Sequence, residues 1–303
     1  MKPDLSVDIG RLKLKNPILV ASGTFGYGEE FQRLYDIGQL GAVCTKGISL
    51  RPRKGNPTPR IVETPSGMLN AIGLQNVGVK EFLSQKLPFL QKSGATVIVN
   101  VFGTKMDDYV ELAKRLDGVR GIAALELNIS CPNVKKGGIE FGGQPEMAVR
   151  LVKAVRKAAK THLMVKLSPS APSIPEMARA LEGAGADSLS LINTLPAMMV
   201  DVRKRRPVLA NGIGGLSGPA IRPVAVRMVS EAARAVRIPI IGIGGIMSLN
   251  DVLEFLLVGA TAVQIGTANF VDPYVAPRLI EELSCYLEKE KIPSVSDLTG
   301  AME

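Results

Sequence analysis

The sequence has few of the residues that build metal centres and disulfide frameworks. Its 303 residues include one histidine, His162, and three cysteines, Cys44, Cys131 and Cys285. Three cysteines this far apart exclude a disulfide framework, a CxxC zinc site and a four-cysteine iron–sulfur cluster within the chain. A single histidine excludes a histidine-rich metal site. We therefore expect a protein without a metal site, in a reducing compartment.

Long apolar runs, aromatic residues and long basic segments are also scarce. No uninterrupted apolar run reaches the ~18 residues of a membrane span, and residues 1–10 lack the pattern of a signal peptide. Lysine and arginine outnumber aspartate and glutamate by 37 to 28, which favours anionic partners. The basic clusters at 51–54 and 203–206 are short, and aromatic residues make up 4%. We expect a cytoplasmic protein that binds a small anion, with neither nucleic acid nor membrane as a partner.

Apolar runs alternate with amphipathic segments along the chain, which is the pattern of an α/β protein. The predicted strands are residues 18–23, 42–47, 97–103, 124–130, 163–168, 188–194, 240–245 and 262–267. The predicted helices, many of which open at proline, are residues 107–116, 145–160, 175–184, 219–236, 249–258 and 277–289. Eight such strands favour closure into a (β/α)8 TIM barrel. An open doubly wound sheet stays possible, although the glycine fingerprint for dinucleotides is absent.

Two stretches between predicted strands are longer than the others. Residues 48–95 follow the second strand and residues 195–218 follow the sixth, with a smaller excess after the fourth. All three leave the C-terminal face of the predicted barrel, where barrel enzymes carry their sites. We expect these insertions to form the walls of a pocket. No linker or repeat divides the chain, so we predict one domain over residues 1–303.

Polar residues end nearly every predicted strand, and no carboxylate is among them. They are Ser22, Lys46, Asn100, Asn128, Lys166, Asn193 with Thr194, Gly244 with Gly245, and Gly266 with Thr267. Amides and two lysines suit a flat, anionic ligand rich in heteroatoms, whereas a divalent metal would need carboxylates. Polar residues at strand ends can also cap helices.

Glycines end the last two predicted strands, where barrels commonly hold phosphate. Gly244–Gly245 and Gly266–Thr267 would let backbone N–H groups approach an anion, although tight turns without a ligand use glycine too. Lys166 could stabilise negative charge on a reduced flavin ring, and Lys46 could pair with a substrate carboxylate. Either lysine could instead reach to solvent.

Cys131 opens the loop after the fourth predicted strand, where a catalytic base belongs. A thiolate can serve as a general base. The other candidates are less well placed, because Glu126 lies within the strand and His162 lies at the opposite, stability face of the barrel. A lone cysteine is otherwise more often a small buried apolar residue. Residues 134–146 carry two glycine pairs, which is typical of a lid but also of an ordinary loop.

Eight motifs together resemble the dihydroorotate dehydrogenase family. They are LNISCPN with the following VKKGGIEFGG, MLNAIGLQN, VNVFG, VKLSP, LINT, GGLSG, IGIGG and QIGTA, and they cover nearly the whole chain. The resemblance implies a barrel that carries FMN and oxidises dihydroorotate to orotate in pyrimidine (UMP) biosynthesis. It implies that Cys131 takes the C5 proton while hydride passes from C6 to the flavin.

The resemblance also implies which residues hold each ligand. The residues implied for FMN are Ser22, Lys46, Asn100, Asn128, Lys166, Ile192, Gly218, Gly244, Gly245, Gly266 and Thr267. The residues implied for the substrate are Lys46, Asn70, Ala71, Ile72, Gly73, Leu74, Asn128, Asn193 and Thr194.

The same resemblance indicates a subtype. The membrane-bound class of the family has serine as its base and a membrane-associating N-terminal extension. This sequence has Cys131 and no such extension, so it resembles class 1 of the family. Within class 1, the VKKGGIEFGG stretch is similar to the NAD-linked (B) subtype. That subtype implies a partner subunit with FAD and a [2Fe–2S] cluster, in a heterotetramer of two catalytic and two partner chains. Three alternatives stay open. They are a fumarate-linked homodimer, a flavin barrel that acts on tRNA uridine, and a flavin-binding barrel without a reactive thiol.

Overall fold

The computed structural model of the protein describes residues 2–129 and 141–303. Its strands are β1 (Val7–Ile9), β2 (Leu12–Leu14), β3 (Ile18–Val20), β4 (Ala42–Cys44), β5 (Ile61–Thr64), β6 (Gly67–Asn70), β7 (Val97–Val101), β8 (Ile122–Asn128), β9 (His162–Lys166), β10 (Ser188–Leu191), β11 (Leu195–Ala197), β12 (Val200–Asp201), β13 (Arg206–Pro207), β14 (Gly214–Ser217), β15 (Ile240–Ile243) and β16 (Ala262–Ile265).

Eight of these strands form a closed parallel barrel. Around the barrel they run in the order β3, β4, β7, β8, β9, β10, β15 and β16, after which β16 pairs with β3. All eight correspond to the predicted strands, so the prediction of a (β/α)8 barrel is confirmed. The predicted ends differ by a few residues: Asn100 lies within β7, and His162 is the first residue of β9.

Helices cover the outside of the barrel. They are α1 (Gly78–Glu81), α2 (Leu87–Lys92), α3 (Met106–Leu116), α4 (Pro145–Ala158), α5 (Ile174–Gly183), α6 (Arg222–Ala233), α7 (Leu249–Leu257), α8 (Ala268–Val271) and α9 (Val275–Glu290). A π-helix over Phe82–Lys86 joins α1 to α2. In α4, Pro145 occupies the first turn, and Ala148, Leu151, Val152 and Val155 recur at helical spacing and are buried. This one apolar face per helix packs each helix on the sheet.

The two long insertions pair with each other. β5 and β6 from the first insertion and β11 and β14 from the second form one antiparallel sheet in the order β11, β14, β6, β5. Leu69, Ala71 and Leu209 form a small apolar cluster of their own on it. The insertion predicted after the fourth barrel strand falls mostly on residues 130–140, outside the described residues. No helix in the described ranges is both long and apolar enough to cross a bilayer.

His162 lies at the amino end of β9, away from the carboxyl ends of the strands. The side chain is 6% exposed, and its Nε2 lies 2.8 Å from Ser188 Oγ. Its Nδ1 is buried without a hydrogen-bond partner among the described residues. Burial lowers the pKa of His162 to about 4, against an opposing effect of Asp187. The folded protein therefore keeps this imidazole neutral.

We predict that His162 makes stability depend on pH between about 4 and 6.5. In that window the unfolded chain, with a histidine pKa of about 6.5, binds a proton that the folded chain does not. The free energy of unfolding therefore falls as the pH falls, by about 3 kcal/mol over the window. In His162→Asn this slope should be lost, as measured by urea unfolding at a series of pH values. Equal slopes in both proteins would contradict the prediction.

Candidate functional site

A carboxylate lies at the centre of the barrel. Glu126, on β8, is fully buried. Its Oε2 accepts hydrogen bonds from Asn100 Nδ2 at 2.6 Å and from Cys44 Sγ at 3.1 Å. Its Oε1 accepts from Ser190 Oγ at 2.8 Å and from Gln264 Nε2 at 3.0 Å. Four donors thus compensate the loss of water around this carboxylate.

The residues around Glu126 form a layer across the barrel. Cys44, Glu126, Ser190 and Gln264 come from β4, β8, β10 and β16, which are the second, fourth, sixth and eighth strands of the barrel. Barrel interiors are filled by layers of four side chains from alternate strands, usually bulky and apolar. Here one layer is polar, and the hydrogen bond from Gln264 to Glu126 joins opposite sides of the barrel.

Charge and hydrogen bonding keep Glu126 anionic. Burial alone would raise the pKa of Glu126, but the positive charge of Lys166 and the hydrogen bonds from its donors lower it. Burial and the adjacent Glu126 raise the pKa of the Cys44 thiol well above its usual value. Cys44 is therefore a neutral thiol that donates to the carboxylate.

Lys166 ends β9 and is 5% exposed. Among the described residues, no acceptor lies within hydrogen-bond or ion-pair distance of its ammonium. An ammonium has three donors, and a buried one needs acceptors. Lys166 therefore has donors available for a ligand at the mouth of the barrel.

Sequence reasoning missed this polar layer because it considered only the strand ends. The strand-end pattern assigns no role to Glu126 within its strand, nor to Ser190 or Gln264. A signal was present, because every second barrel strand carries Cys, Glu, Ser or Gln within an otherwise buried run. Polar residues recurring on alternate strands are the expected trace of a polar layer.

Other polar residues predicted for strand ends lie at the carboxyl ends of β8, β3 and β4. Asn128 is the last residue of β8 and is in register with Lys166, and its carbonyl accepts from Tyr109 Oη at 2.8 Å. Ser22 and Lys46 follow β3 and β4 by two residues each. Ser22 is buried and Lys46 is half-buried, and burial lowers the pKa of Lys46, with a further contribution from the nearby positive charge of Arg60.

The insertion sheet brings the residues predicted for the substrate to the loop after β10. Thr194 packs so closely on β14 that a Cβ at Gly215 would lie 2.0 Å from its Oγ1. Asn70, at the end of β6, donates from Nδ2 to the carbonyl of the same Gly215 at 3.4 Å. Asn193 accepts from the Thr194 amide at 2.8 Å. Ile192 is buried, and its amide donates to the Ile243 carbonyl at 2.9 Å.

The turn over residues 71–74 is held by a residue that sequence reasoning did not single out. Asn56 donates from Nδ2 to the Ala71 carbonyl at 2.9 Å, and its amide donates to the Ile72 carbonyl at 3.0 Å. Gly73 and Leu74 both have positive φ, at 75° and 58°. Positive φ in Leu74 is unfavourable, so the surrounding contacts must impose it.

Glycines follow β15 and β16, and Gly245 packs closely on Arg222 and Gly218. Gly245 has φ of 73°, and a Cβ there would lie 2.7 Å from Arg222 Cβ and 2.8 Å from the Gly218 carbonyl. Thr267 donates from Oγ1 to Ser217 Oγ at 2.7 Å. Within the described ranges, no acceptor pairs with the backbone amides of Gly245 or Thr267. Free amides in such a turn are the donors that a phosphate requires.

Two expected features lie wholly or mainly outside the described residues. Cys131 is one, and residues 134–140 of the expected lid are the other. The described end of the lid forms a short 3-10 helix over Phe141–Gly143, in which the Phe141 ring contacts Tyr109 edge-on with centroids 5.7 Å apart. The role of Cys131 stays a prediction.

The fold and these residues define a (β/α)8-barrel protein with polar groups gathered at the carboxyl ends of its strands. A family model described as dihydroorotate dehydrogenase matches residues 4–287. The chain is 60% identical over 303 residues to a protein of Trichlorobacter lovleyi, covering all of both chains, and 58% identical over 301 residues to one of Geotalea uraniireducens, covering 99% of each. Both are named dihydroorotate dehydrogenase B (NAD(+)), catalytic subunit. The chain belongs to the dihydroorotate dehydrogenase family, which consists of flavin-dependent oxidoreductases.

The described residues fit a flavin nucleotide. A flavin has a flat ring edged with nitrogen and oxygen atoms, and its nucleotide form ends in phosphate. The unpaired ammonium of Lys166 is a donor for the ring, and the amides of Gly245 and Thr267 are donors for a phosphate. A side chain at position 245 would clash, so the close contact between Gly245 and Gly218 requires glycine.

We predict that Gly245→Ala destabilises the protein and that Gly266→Ala does not. Alanine at 245 would need positive φ and would clash with Arg222 and Gly218, which should cost about 1–3 kcal/mol. At Gly266 the nearest atom to an added Cβ is Ala21 Cβ at 3.9 Å, so stability should change by no more than about 1 kcal/mol. Urea unfolding of both variants measures the difference. Equal midpoints would show that the turn at 245 tolerates a side chain.

Proposed function

We propose that this chain is the catalytic subunit of an NAD-linked dihydroorotate dehydrogenase. It oxidises dihydroorotate to orotate in pyrimidine (UMP) biosynthesis, and its cofactor is FMN. Support comes from identity of 56–60% over essentially the full length to relatives that carry that name. The observation that carries the proposal is Lys166, a buried cation without an acceptor among the described residues, at the mouth of the barrel.

FMN would be held by residues in or just after all eight barrel strands and by Gly218 at the end of the second insertion. When bound, FMN supplies the acceptor for the hydride that leaves C6 of the substrate. Lys166 and Asn100 would contact the ring, and the backbone amides of Gly245 and Thr267 would hold the phosphate. The full proposed set is Ser22, Lys46, Asn100, Asn128, Lys166, Ile192, Gly218, Gly244, Gly245, Gly266 and Thr267.

The substrate would lie between the barrel and the insertion sheet. Asn70 and Thr194 both contact Gly215, so an amide from the first insertion and a hydroxyl from the loop after β10 converge there. These groups match the ring carbonyls and N–H groups of dihydroorotate, and Lys46 offers a cation for its carboxylate. The remaining proposed contacts are Ala71, Ile72, Gly73, Leu74, Asn128 and Asn193.

Cys131 would be the general base, with its Sγ taking the C5 proton. The described acid–base groups of the interior are poorly suited to that role. Glu126 is committed to four donors, and Cys44 is buried with a raised pKa. His162 lies at the amino end of β9, opposite the mouth. Proton loss at C5 and hydride loss at C6 together leave the C5–C6 double bond of orotate.

Electrons would leave through a partner subunit that carries FAD and a [2Fe–2S] cluster. The names of the relatives include both NAD(+) and catalytic subunit, which supports a separate subunit for the nicotinamide reaction. The sequence has three cysteines, fewer than a four-cysteine cluster needs, and no dinucleotide fingerprint. We place two catalytic and two partner chains in the complex, and the complex in the cytoplasm.

We expect dihydroorotate to bleach the flavin bands of the purified protein under anaerobic conditions. In Cys131→Ala the bands should remain but bleach ~10²- to 10⁴-fold more slowly, because general-base catalysis is lost while the described flavin contacts are kept. Stopped-flow absorbance measures both rates. A colourless wild-type protein that cannot be reconstituted with FMN would refute the proposed function.

The matched control is Cys285→Ala. Cys285 lies on α9 and is exposed, so its removal tests for general thiol effects without touching the mouth. Its bleaching rate should equal that of the wild type. Equal rates in Cys131→Ala and the wild type would remove Cys131 from the mechanism.

We expect the chain alone not to reduce NAD⁺ with dihydroorotate. Reduction should appear only when the partner subunit is added, as followed by NADH absorbance, because the chain has no route of its own to a nicotinamide. NADH formed by the chain alone would contradict the need for a partner. Rapid turnover with fumarate by the chain alone would favour the fumarate-linked subtype instead.

A further inference from the structure

The side chains of Asn100 and Lys166 both interact with the buried carboxylate of Glu126. We call these three residues, at the open carboxyl end of the barrel, the floor of the mouth. We propose that Glu126 is a positioning residue, which orients the amide of Asn100 and balances the charge of Lys166 so that both can bind the flavin. The inference rests on the proposed function, because it assumes that the ligand above this floor is FMN. It assigns a role to a residue that contacts neither ligand in that proposal.

The orientation of the Asn100 amide follows from the chemistry of its partner. A carboxylate only accepts hydrogen bonds, so the Asn100 atom that lies 2.6 Å from Glu126 Oε2 must be the NH₂ group. The Asn100 carbonyl oxygen, Oδ1, is then turned away from the carboxylate. Among the described residues no donor reaches Oδ1. The interaction with Glu126 thus presents an acceptor to a ligand N–H.

Space for this acceptor exists because residue 47 is glycine. A Cβ at Gly47 would lie 2.9 Å from Asn100 Oδ1 and 3.1 Å from the Phe102 ring. Gly47 directly follows Lys46, so Oδ1 lies beneath the loop that carries a second candidate ligand residue. The orientation of Asn100 therefore matters on the side where the ligand is expected.

Lys166 depends on the same carboxylate through charge. A buried ammonium is unfavourable unless an opposite charge lies near it. Glu126 is the buried anion that interacts with Lys166, which belongs to the neighbouring strand β9. Because no carboxylate forms a close ion pair with Lys166 in the described ranges, its donors stay available while its charge is balanced.

The other donors fix Glu126 in place. Ser190 and Gln264 bind Oε1 from two further strands, so both oxygens of the carboxylate are held. Gln264 turns its NH₂ toward Glu126 although its own Oε1 is then buried without a partner in the described part of the chain. An unsatisfied buried carbonyl costs free energy. The barrel thus tolerates this cost while it holds the carboxylate in one orientation.

The test is Glu126→Gln in the full-length holoprotein. Glutamine has nearly the same shape but no charge, and one of the two carboxylate oxygens becomes an NH₂ group, so Lys166 should lose its counter-charge and the charged hydrogen bond that holds Asn100 should weaken. We expect the dissociation constant of FMN to rise at least tenfold. Dilution of the holoprotein, with release followed by flavin fluorescence, measures it. An unchanged dissociation constant would overturn the inference.

Ser190→Ala is the matched control. It removes one neutral donor from the same carboxylate, but Gln264 still donates to Oε1, and the charge and the contact with Asn100 remain. We expect the FMN dissociation constant to stay within threefold of the wild type. A loss as large as that of Glu126→Gln would indicate that any damage to the layer weakens binding, which would overturn the positioning role.

A double-mutant cycle separates positioning from general structural damage. The background for this test is a variant that carries both Asn100→Ala and Lys166→Met. If Glu126 acts through these two residues, adding Glu126→Gln to that variant should change the FMN dissociation constant less than threefold. Additive losses would overturn the inference. If Glu126→Gln does not fold, Glu126→Asp replaces it, since it keeps the charge and withdraws the oxygen from Asn100. Its loss of affinity should then vanish in the Asn100→Ala background, and a persisting loss would overturn the inference.

The two proposals fail in different ways. A wild-type protein that binds no FMN would refute the proposed function. A wild-type protein that binds FMN, with variants that bind it equally well, would refute only the role of Glu126.

Discussion

A buried carboxylate at the centre of a closed barrel constrains the strands around it. Glu126 has no access to water, so each of its oxygens must receive donors from other strands. Those donors come from β4, β7, β10 and β16. β7 is the neighbour of the strand that carries Glu126, and β16 lies on the opposite side of the barrel. A shift of register in one of these strands would remove a donor and leave charge unsatisfied. The polar layer therefore favours one register of the barrel more strongly than apolar packing alone would.

The same layer separates the packed barrel from the open mouth. Met164 lies below the layer, on β9 and two residues before Lys166. The Sδ atom of Met164 is 4.0 Å from Gln264 Nε2. Above the layer lie Lys166 and the end of β8. In the insertion sheet, β6 and β14 can pair closely because small residues lie where their backbones approach. A Cβ at Gly67 would lie 2.0 Å from the Ser217 carbonyl. Two segments far apart in sequence can therefore form one wall.

The predictable part of the structure was the local part. The eight barrel strands followed from apolar runs, and Asn128 and Lys166 followed from their positions at the ends of those runs. Polar residues on every second strand indicate a polar layer, but which of them share one level of the barrel depends on the register of non-adjacent strands, which no single strand's sequence contains. The pairing of β6 with β14, and the hold of Asn56 on residues 71–74, are long-range contacts of the same kind.

The charges of the mouth divide between its floor and its rim. Glu126 and Lys166 balance each other, and Cys44 is neutral, so the floor carries little net charge and presents mainly hydrogen-bonding groups. Attraction for an anion must then come from the rim, where Lys46 and the backbone amides of Gly245 and Thr267 lie. For a ligand with a neutral ring and a phosphate, this division places each part against matching groups. The floor would select the ring by its pattern of donors and acceptors, and the rim would select the charge, so a change of one should leave the other largely intact.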